Sequence, residues 1–270
     1  MSLALPSGRP RPANGRRFKA FRAVGALIMR EMTTTYGRSP GGYLWAIMEP
    51  VAGIALLSAV FSLVARTPPL GVNFPMFYAT GFLPFMMYTQ LEGKISKSMK
   101  FSKSLLFYPS VTYADAILAR FTLTFLTQMT VFFVLLSGIM LIWETRTAID
   151  PWILMSGIGA AAIFGVGIGT MNCFVRAYFP VWERFWKVLN RPLFLISGII
   201  FLFDDVPPFA QQYLWWNPLV HLIGQMRRAF YPQYRGEYVE LLYPVGVGMA
   251  LLVIGLIFLN RYNREILDQM

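Results

Sequence analysis

Along the 270 residues, long apolar runs alternate with short basic stretches. Six runs are long enough to cross about 30 Å of hydrocarbon as helices of roughly 20 residues: Leu44–Ala65, Val72–Leu91, Ala116–Trp143, Trp152–Val175, Trp186–Phe203 and Tyr243–Asn260. The second and fifth are the weakest. Pro75, Gly81 and Pro84 interrupt the second, which predicts a kinked or partly re-entrant segment. Ahead of the first run, Phe18, Phe21, Val24 or Gly25, Ile28 and Met32 recur at helical spacing, with Arg17, Lys19, Arg22 and Arg30 elsewhere. This predicts an amphipathic helix over Arg16–Tyr36, lying in the membrane interface. Residues 1–15 read as a disordered Pro/Gly/Arg tail, and 16–270 as one membrane domain.

The segments between the runs have patterns of their own. Lys94, Lys97, Lys100 and Lys103 fall at intervals of three and leave Ile95, Met99 and Leu106 as a narrow apolar edge. Both a solvated loop and a surface for a cytosolic protein fit that pattern. In the fourth run Gly157, Ala161, Gly165 and Gly169 share one stripe, with Gly159 and Gly167 beside them, as expected of close helix packing in lipid. Trp182, Phe185 and Trp186 stand among Arg184, Lys187 and Arg191, an interfacial belt. Between the last two runs, Pro207, Pro208, Pro218 and Pro232 leave two short helical pieces, Phe209–Trp216 and Pro218–Phe230. Re-entrant or interfacial helices fit there better than a free loop.

Composition agrees with a membrane protein: 56% hydrophobic, 14% charged, mean hydropathy +0.51. The net charge of +11 changes the picture only through its distribution. All Lys and Arg except Arg66, Arg146, Arg227, Arg228 and Arg235 fall in the N-terminal segment, Glu92–Asp115, Arg120, Arg176–Arg191 and the tail after Asn260. The positive-inside rule therefore puts both termini in the cytoplasm, and the basic excess also matches anionic lipid. Nucleic acid is not expected as a partner, because no basic–aromatic module accompanies the charge. The single cysteine, Cys173, excludes an intrachain disulfide framework, and no apolar h-region of a signal peptide opens the chain.

Candidate chemistry is sparse. The chain has no G-x-x-x-x-G-K-[ST] phosphate loop, no H-E-x-x-H or C-x-x-C, and too few His and Cys for a metal cluster, so catalysis and a metal site are not expected. Few charges lie deep in the runs, which argues against a proton relay or an ion-coupled carrier. Glu49, directly before Pro50, is the exception. A carboxylate in hydrocarbon is costly, so it is expected to pair with Arg30 or Arg38. His221, the only histidine, is expected to be a hydrogen-bonded structural residue.

Arg30-Glu31, Tyr36-Gly37, Gly42-Tyr43-Leu44-Trp45 and Glu49-Pro50 together resemble the opening signature of ABC-2 type permeases that export capsular polysaccharide. Leu105-Leu106-Phe107-Tyr108-Pro109, Asn217-Pro218, Arg227 and Tyr231 also look like that family. Thr35, where arginine is common, and the Gly41-Gly42 pair, where a bulkier residue precedes the aromatic, depart from it. The resemblance implies an all-α, six-span permease in the bacterial inner membrane, pairing with a second copy and with two cytosolic subunits that bind ATP and Mg. It has no cofactor of its own. The cargo would be a lipid-linked acidic polysaccharide, passed to a periplasmic co-polymerase and an outer-membrane export protein. Arg30, Glu31, Arg38, Lys94, Lys97, Lys100 and Lys103 would belong to the surfaces that receive the ATPase stroke.

A sugar polymer must slide, so a path of aromatic, hydroxyl and amide groups suits it. Tyr78, Tyr88, Gln90, Phe121, Thr124, Thr127 and Gln128 are the candidates. Thr124, Thr127 and Gln128 either face a channel between two copies or pair helix to helix. Arg30, Arg38 and the lysines either draw in the anionic end of the cargo or only fix topology. Another cargo on the same architecture (O-antigen, teichoic acid, a small drug), a membrane transferase and a pure scaffold are the competing readings.

Overall fold

The computed structural model describes residues 19–35, 41–106 and 111–269. Ten α-helices and one 3-10 turn account for the regular structure among them, with no strand. They are α1 (Lys19–Thr35), α2 (Gly42–Val64), α3 (Phe74–Ile95), α4 (Ser98–Leu106), α5 (Tyr113–Ile142), α6 (Pro151–Tyr178), α7 (Trp182–Ile196), α8 (Pro208–Leu214), α9 (Pro218–Phe230) and α10 (Leu242–Gln269). Four of these, α2, α5, α6 and α10, are long and apolar enough to cross a membrane.

Local chemistry sets where these helices begin. Asn73 caps α3 by accepting from the Met76 N–H, with Pro75 in the first turn where its missing N–H costs nothing. Thr112 and Asp115 form a reciprocal capping box at α5. Asp150 caps α6 and Asn217 caps α9, each followed by proline.

The bundle is built on α3 and α6. α3 packs against α2, α5, α6 and α9, and α6 against α3, α9 and α10. The glycine stripe makes this approach possible. A Cβ on Gly165 would stand 3.0 Å from Leu91 Cβ, and one on Gly169 2.9 Å from Ile95 Cβ. A second seam, not evident as a stripe, joins Gly167 of α6 to the Gly248 backbone of α10. With lipid as solvent, such backbone approach replaces the hydrophobic drive available in water.

One expectation, the fifth run, is corrected. The second run forms one continuous helix through Pro84, enclosed by its neighbours over most of its length. The fifth run does not form a helix over Trp186–Phe203. Helix α7 starts four residues earlier and ends at Ile196, where Gly198 turns the chain at φ +85° and Leu202 is extended before the Phe203–Asp205 turn. An amphipathic helix forms over Lys19–Thr35, and it packs on the bundle through Leu27 and Glu31. Leu27 and Glu31 are buried, while Phe21 is 81% exposed. Ile28 and Met32 of the apolar stripe line a groove against α2 and α5, and Glu31 is met by an ion pair. The two short pieces after α7 form as expected: α8 lies exposed, and α9 is almost wholly enclosed.

Candidate functional site: a buried charge network at the α1 end

The N-terminal part of α5 lies beside the end of α3, α1 packs along α5, and α4 packs against α5 and α6. Into this junction points Arg120 of α5, 5% exposed. Its Nε stands 3.3 Å from Oε2 of Glu31 on α1, itself 4% exposed. Its Nη1 donates to the Lys94 carbonyl at the C-terminus of α3 at 2.6 Å. Its guanidinium lies 4.2 Å from the ring centroid of Phe101 on α4. Four elements therefore meet on one side chain. A guanidinium suits this role, because its planar fork can serve a carboxylate and a carbonyl while its face lies on an aromatic ring. Arg30 adds a second cation to Phe101, with its carbon 5.1 Å from the ring centroid and Nη2 3.5 Å from the Phe101 carbonyl.

A neighbouring pair joins α3 to α6. Arg176 Nη2 is 3.2 Å from Glu92 Oε1, which also accepts from Asn172 at 2.9 Å. Asn172 in turn accepts from the Trp182 indole of α7 at 2.9 Å. The two pairs form a belt of buried charge across one end of the bundle. Glu183, on the solvent side of α7, is held below the usual carboxylate range by its hydrogen bond to Lys187, 3.0 Å away.

Of the residues expected to couple to a partner, Arg30, Glu31 and Lys94 meet in this network. Lys97, just before α4, and Lys100 on it lie exposed and Lys103 is half-buried, while Ile95 at the end of α3 and Met99 on α4 are buried. Tyr36, Gly37 and Arg38 lie outside the described residues. Trp45 is 64% exposed with its ring over Gly41, which opens α2 at φ +91°. Pro50 is buried within α2, and Glu49 is exposed beside it. The expected Glu49–Arg30 pair does not form, because Arg30 turns to Phe101.

The residues expected along a polymer path do not share a surface. Tyr78 is enclosed among Phe61, Phe74 and Phe77. Tyr88 is enclosed against Phe164 and donates to Asn190 at 3.3 Å. Thr124 and Gln128 are buried within the subunit. Thr127 is half-buried, donates to the Leu123 carbonyl and lines a groove of 400 Å³ between α1, α2 and α5. Phe121 stacks on Phe125 and lines a separate apolar groove of 440 Å³ between α5, α6 and α10. Gln90 is half-buried on α3. His221 is a structural residue, as expected: its Nδ1 accepts from the Glu240 N–H at 3.1 Å, so Nε2 carries the proton and donates to the Trp215 carbonyl at 2.8 Å.

Sequence reasoning missed Arg120, Phe101, Glu92, Asn172 and Arg176 as members of a site. Their signal was position: charges and an amide just inside apolar runs, where an unpaired group is costly.

A bundle of long apolar helices, with a buried charge belt at one end and an amphipathic helix fastened to it, defines a multi-pass membrane protein. The sequence places it further. Residues 22–231 match the ABC-2 type transporter family, and the chain belongs to that family. It is 31% identical over 233 residues to the polysialic acid transport protein KpsM of Escherichia coli, covering 86% of this chain and 90% of that one. It is 25% identical over 248 residues to the capsule polysaccharide export inner-membrane protein CtrC of Neisseria meningitidis serogroup B, covering 92% and 94%. It is also 25% identical over 245 residues to the O-antigen export system permease protein RfbA of Klebsiella pneumoniae, covering 86% and 88%.

Proposed function

We propose that the chain is the permease subunit of an inner-membrane ABC exporter for lipid-linked acidic capsular polysaccharide. The observation that carries this reading is similarity to capsule exporters along nearly the whole chain, from α1 into α10. The α1 end is cytoplasmic, as its basic charge requires, and both termini lie there. ATP and Mg are bound by two separate cytosolic subunits, which dock on α1 and on the lysine face of α4. A periplasmic co-polymerase and an outer-membrane export protein take the polymer onward.

A second copy completes the path, and the α2–α3–α7 side supports that reading. The most apolar stretch of α2 is 11% buried, against 61% for α6. Helix α7 is strongly amphipathic, has no buried side chain and carries Arg184, Lys187 and Arg191. Such a helix suits an aqueous path or a subunit contact better than bare lipid. Phe194 of α7 packs on Phe82 and Phe85 of α3 and lends the face aromatic surface for sugar rings. Among the path residues expected from sequence, Gln90, Phe121 and Thr127 keep partial exposure.

The test is reconstitution with an ATPase bearing a phosphate loop. Hydrolysis stimulated by acidic capsular polymer, with polymer crossing the membrane, is the expected result. Copurification without any nucleotide-dependent movement would favour a scaffold. The RfbA similarity supports one second reading, O-antigen export, and transport of a neutral O-antigen in preference to an acidic capsule would select it.

A further inference from the structure

Force delivered to α1 and α4 reaches the bundle only if these helices do not slip against it, and apolar packing holds them weakly. Among the described residues, Leu27 is the fully buried apolar side chain of α1 and Met99 that of α4. The remaining buried groups there are polar: Glu31 on α1, Ser98 and Ser102 on α4. Arg120 is the point where both helices are held at once, through Glu31 and through the Phe101 ring, while its bond to the Lys94 carbonyl ties the same guanidinium to the end of α3.

We propose that Arg120 is the positioning residue that locks α1 and α4 in one register against the ends of α3 and α5, so that a push on either helix moves the bundle. The inference rests on the export reading and names how its cytoplasmic surface is coupled.

The chemistry of the node favours a latch over simple adhesion. A buried ion pair seldom holds better than an apolar pair of similar volume, but it tolerates no slip. Displacement by about 1 Å takes the hydrogen bond from Arg120 to the Lys94 carbonyl out of range and weakens the pairing of two buried charges. Apolar side chains would slide by the same distance with little change. Lysine at this position could meet Glu31 but not reach the carbonyl and cover the ring as well.

The experiment uses the complete membrane-embedded exporter with its ATPase, comparing wild type with R120K, E31Q and the double apolar variant E31M/R120M. Membrane abundance, thermal stability, ATP hydrolysis and polymer moved per ATP are measured. The expected result is that E31M/R120M is inserted and as stable as wild type and still hydrolyses ATP, but moves roughly tenfold less polymer per ATP. R120K and E31Q should fall between. Wild-type yield per ATP in E31M/R120M overturns the proposal. So does loss of that variant from the membrane, because the pair would then be a folding requirement. A wild-type complex with no linked hydrolysis and transport would instead overturn the export reading.

Discussion

Two arginines are buried at opposite ends of the bundle, and they are held in opposite ways. Arg120 faces a carboxylate, Glu31, across a junction of helices that share few apolar contacts. Arg227 of α9, 1% exposed, has no carboxylate among its described partners. It donates to the carbonyls of Phe201 at 2.9 Å and Ile199 at 3.2 Å, and its guanidinium lies 4.4 Å from the Phe77 ring centroid. The first is an ion pair between two separate helices, α1 and α5. The second satisfies a stretch of non-helical backbone, residues 197–202, whose carbonyls at Ile199 and Phe201 would otherwise lose these partners. The contrast teaches that burial of charge alone does not mark a moving part; what the charge holds does.

The largest effect is therefore expected at Arg227. Arg227→Met strands two buried carbonyls, at about 1–3 kcal/mol each, and unfastens the segment after α7 from α9. Folded protein in the membrane should fall severely, read by abundance and by thermal unfolding in detergent. A variant with normal stability and reduced export would erase the distinction from Arg120.

Glu92–Arg176 is the intermediate case, and it sharpens the comparison. It lies at the same end as Arg120 but joins α3 to α6, the two helices fixed together by the Gly165 and Gly169 approach. If the partner's mobility is what matters, Arg176→Met should behave like a core lesion, costing about 3–5 kcal/mol by stranding Glu92. ATP hydrolysis and polymer yield should fall in parallel with the amount of folded protein, leaving the yield per ATP unchanged. A specific loss of yield per ATP would mean the whole belt is the joint.

A weaker perturbation is available through pH at the Arg227 end. Burial pushes the His221 imidazole below its ordinary value, and Glu240 is the charged neighbour opposing that shift. Between the ordinary value of about 6.5 and the lowered folded one, the unfolded chain binds a proton that the folded chain refuses. Stability from this site is thus complete above about pH 6.5 and is lost as pH falls through the folded value. Protonation would also break the bond from the Glu240 N–H to Nδ1. His221→Gln should flatten this part of the pH profile of thermal unfolding, whereas Arg120 variants should leave it unchanged.

Much of this architecture was legible in the sequence, and the gaps have physical causes. The runs that became α2, α5, α6 and α10 were readable because lipid demands an unbroken apolar stretch of fixed length. The caps and prolines at Asn73, Asp150 and Asn217 mark starts that the fold keeps. The fifth run misled because hydropathy cannot tell a helix from extended apolar backbone whose carbonyls are met by a distant arginine. The fastening of α1 was hidden for a related reason: Glu31 has a partner 89 positions away that no local pattern shows. The path residues scattered because polar groups inside a span serve helix contacts and cavities alike.

The smallest structural effect, and the one most informative about the α1 end, belongs to the lysines at the start of α4. Lys97 and Lys100 are exposed and form no ion pair among the described residues, so Lys97→Glu and Lys100→Glu should change stability by no more than about 0.5 kcal/mol. If α4 meets a cytosolic subunit through this face, the same reversals should weaken that association, with an effect that shrinks as salt rises and screens the contact. Arg120 variants should show the reverse: association intact, insensitive to salt, and yield per ATP reduced. Placing the two sets side by side separates docking from transmission, because Lys97 and Lys100 face away from the bundle while Phe101, one position on, faces the guanidinium of Arg120. Reversals that leave both association and export untouched would remove α4 from the docking surface and leave α1 as the remaining route for force into Arg120.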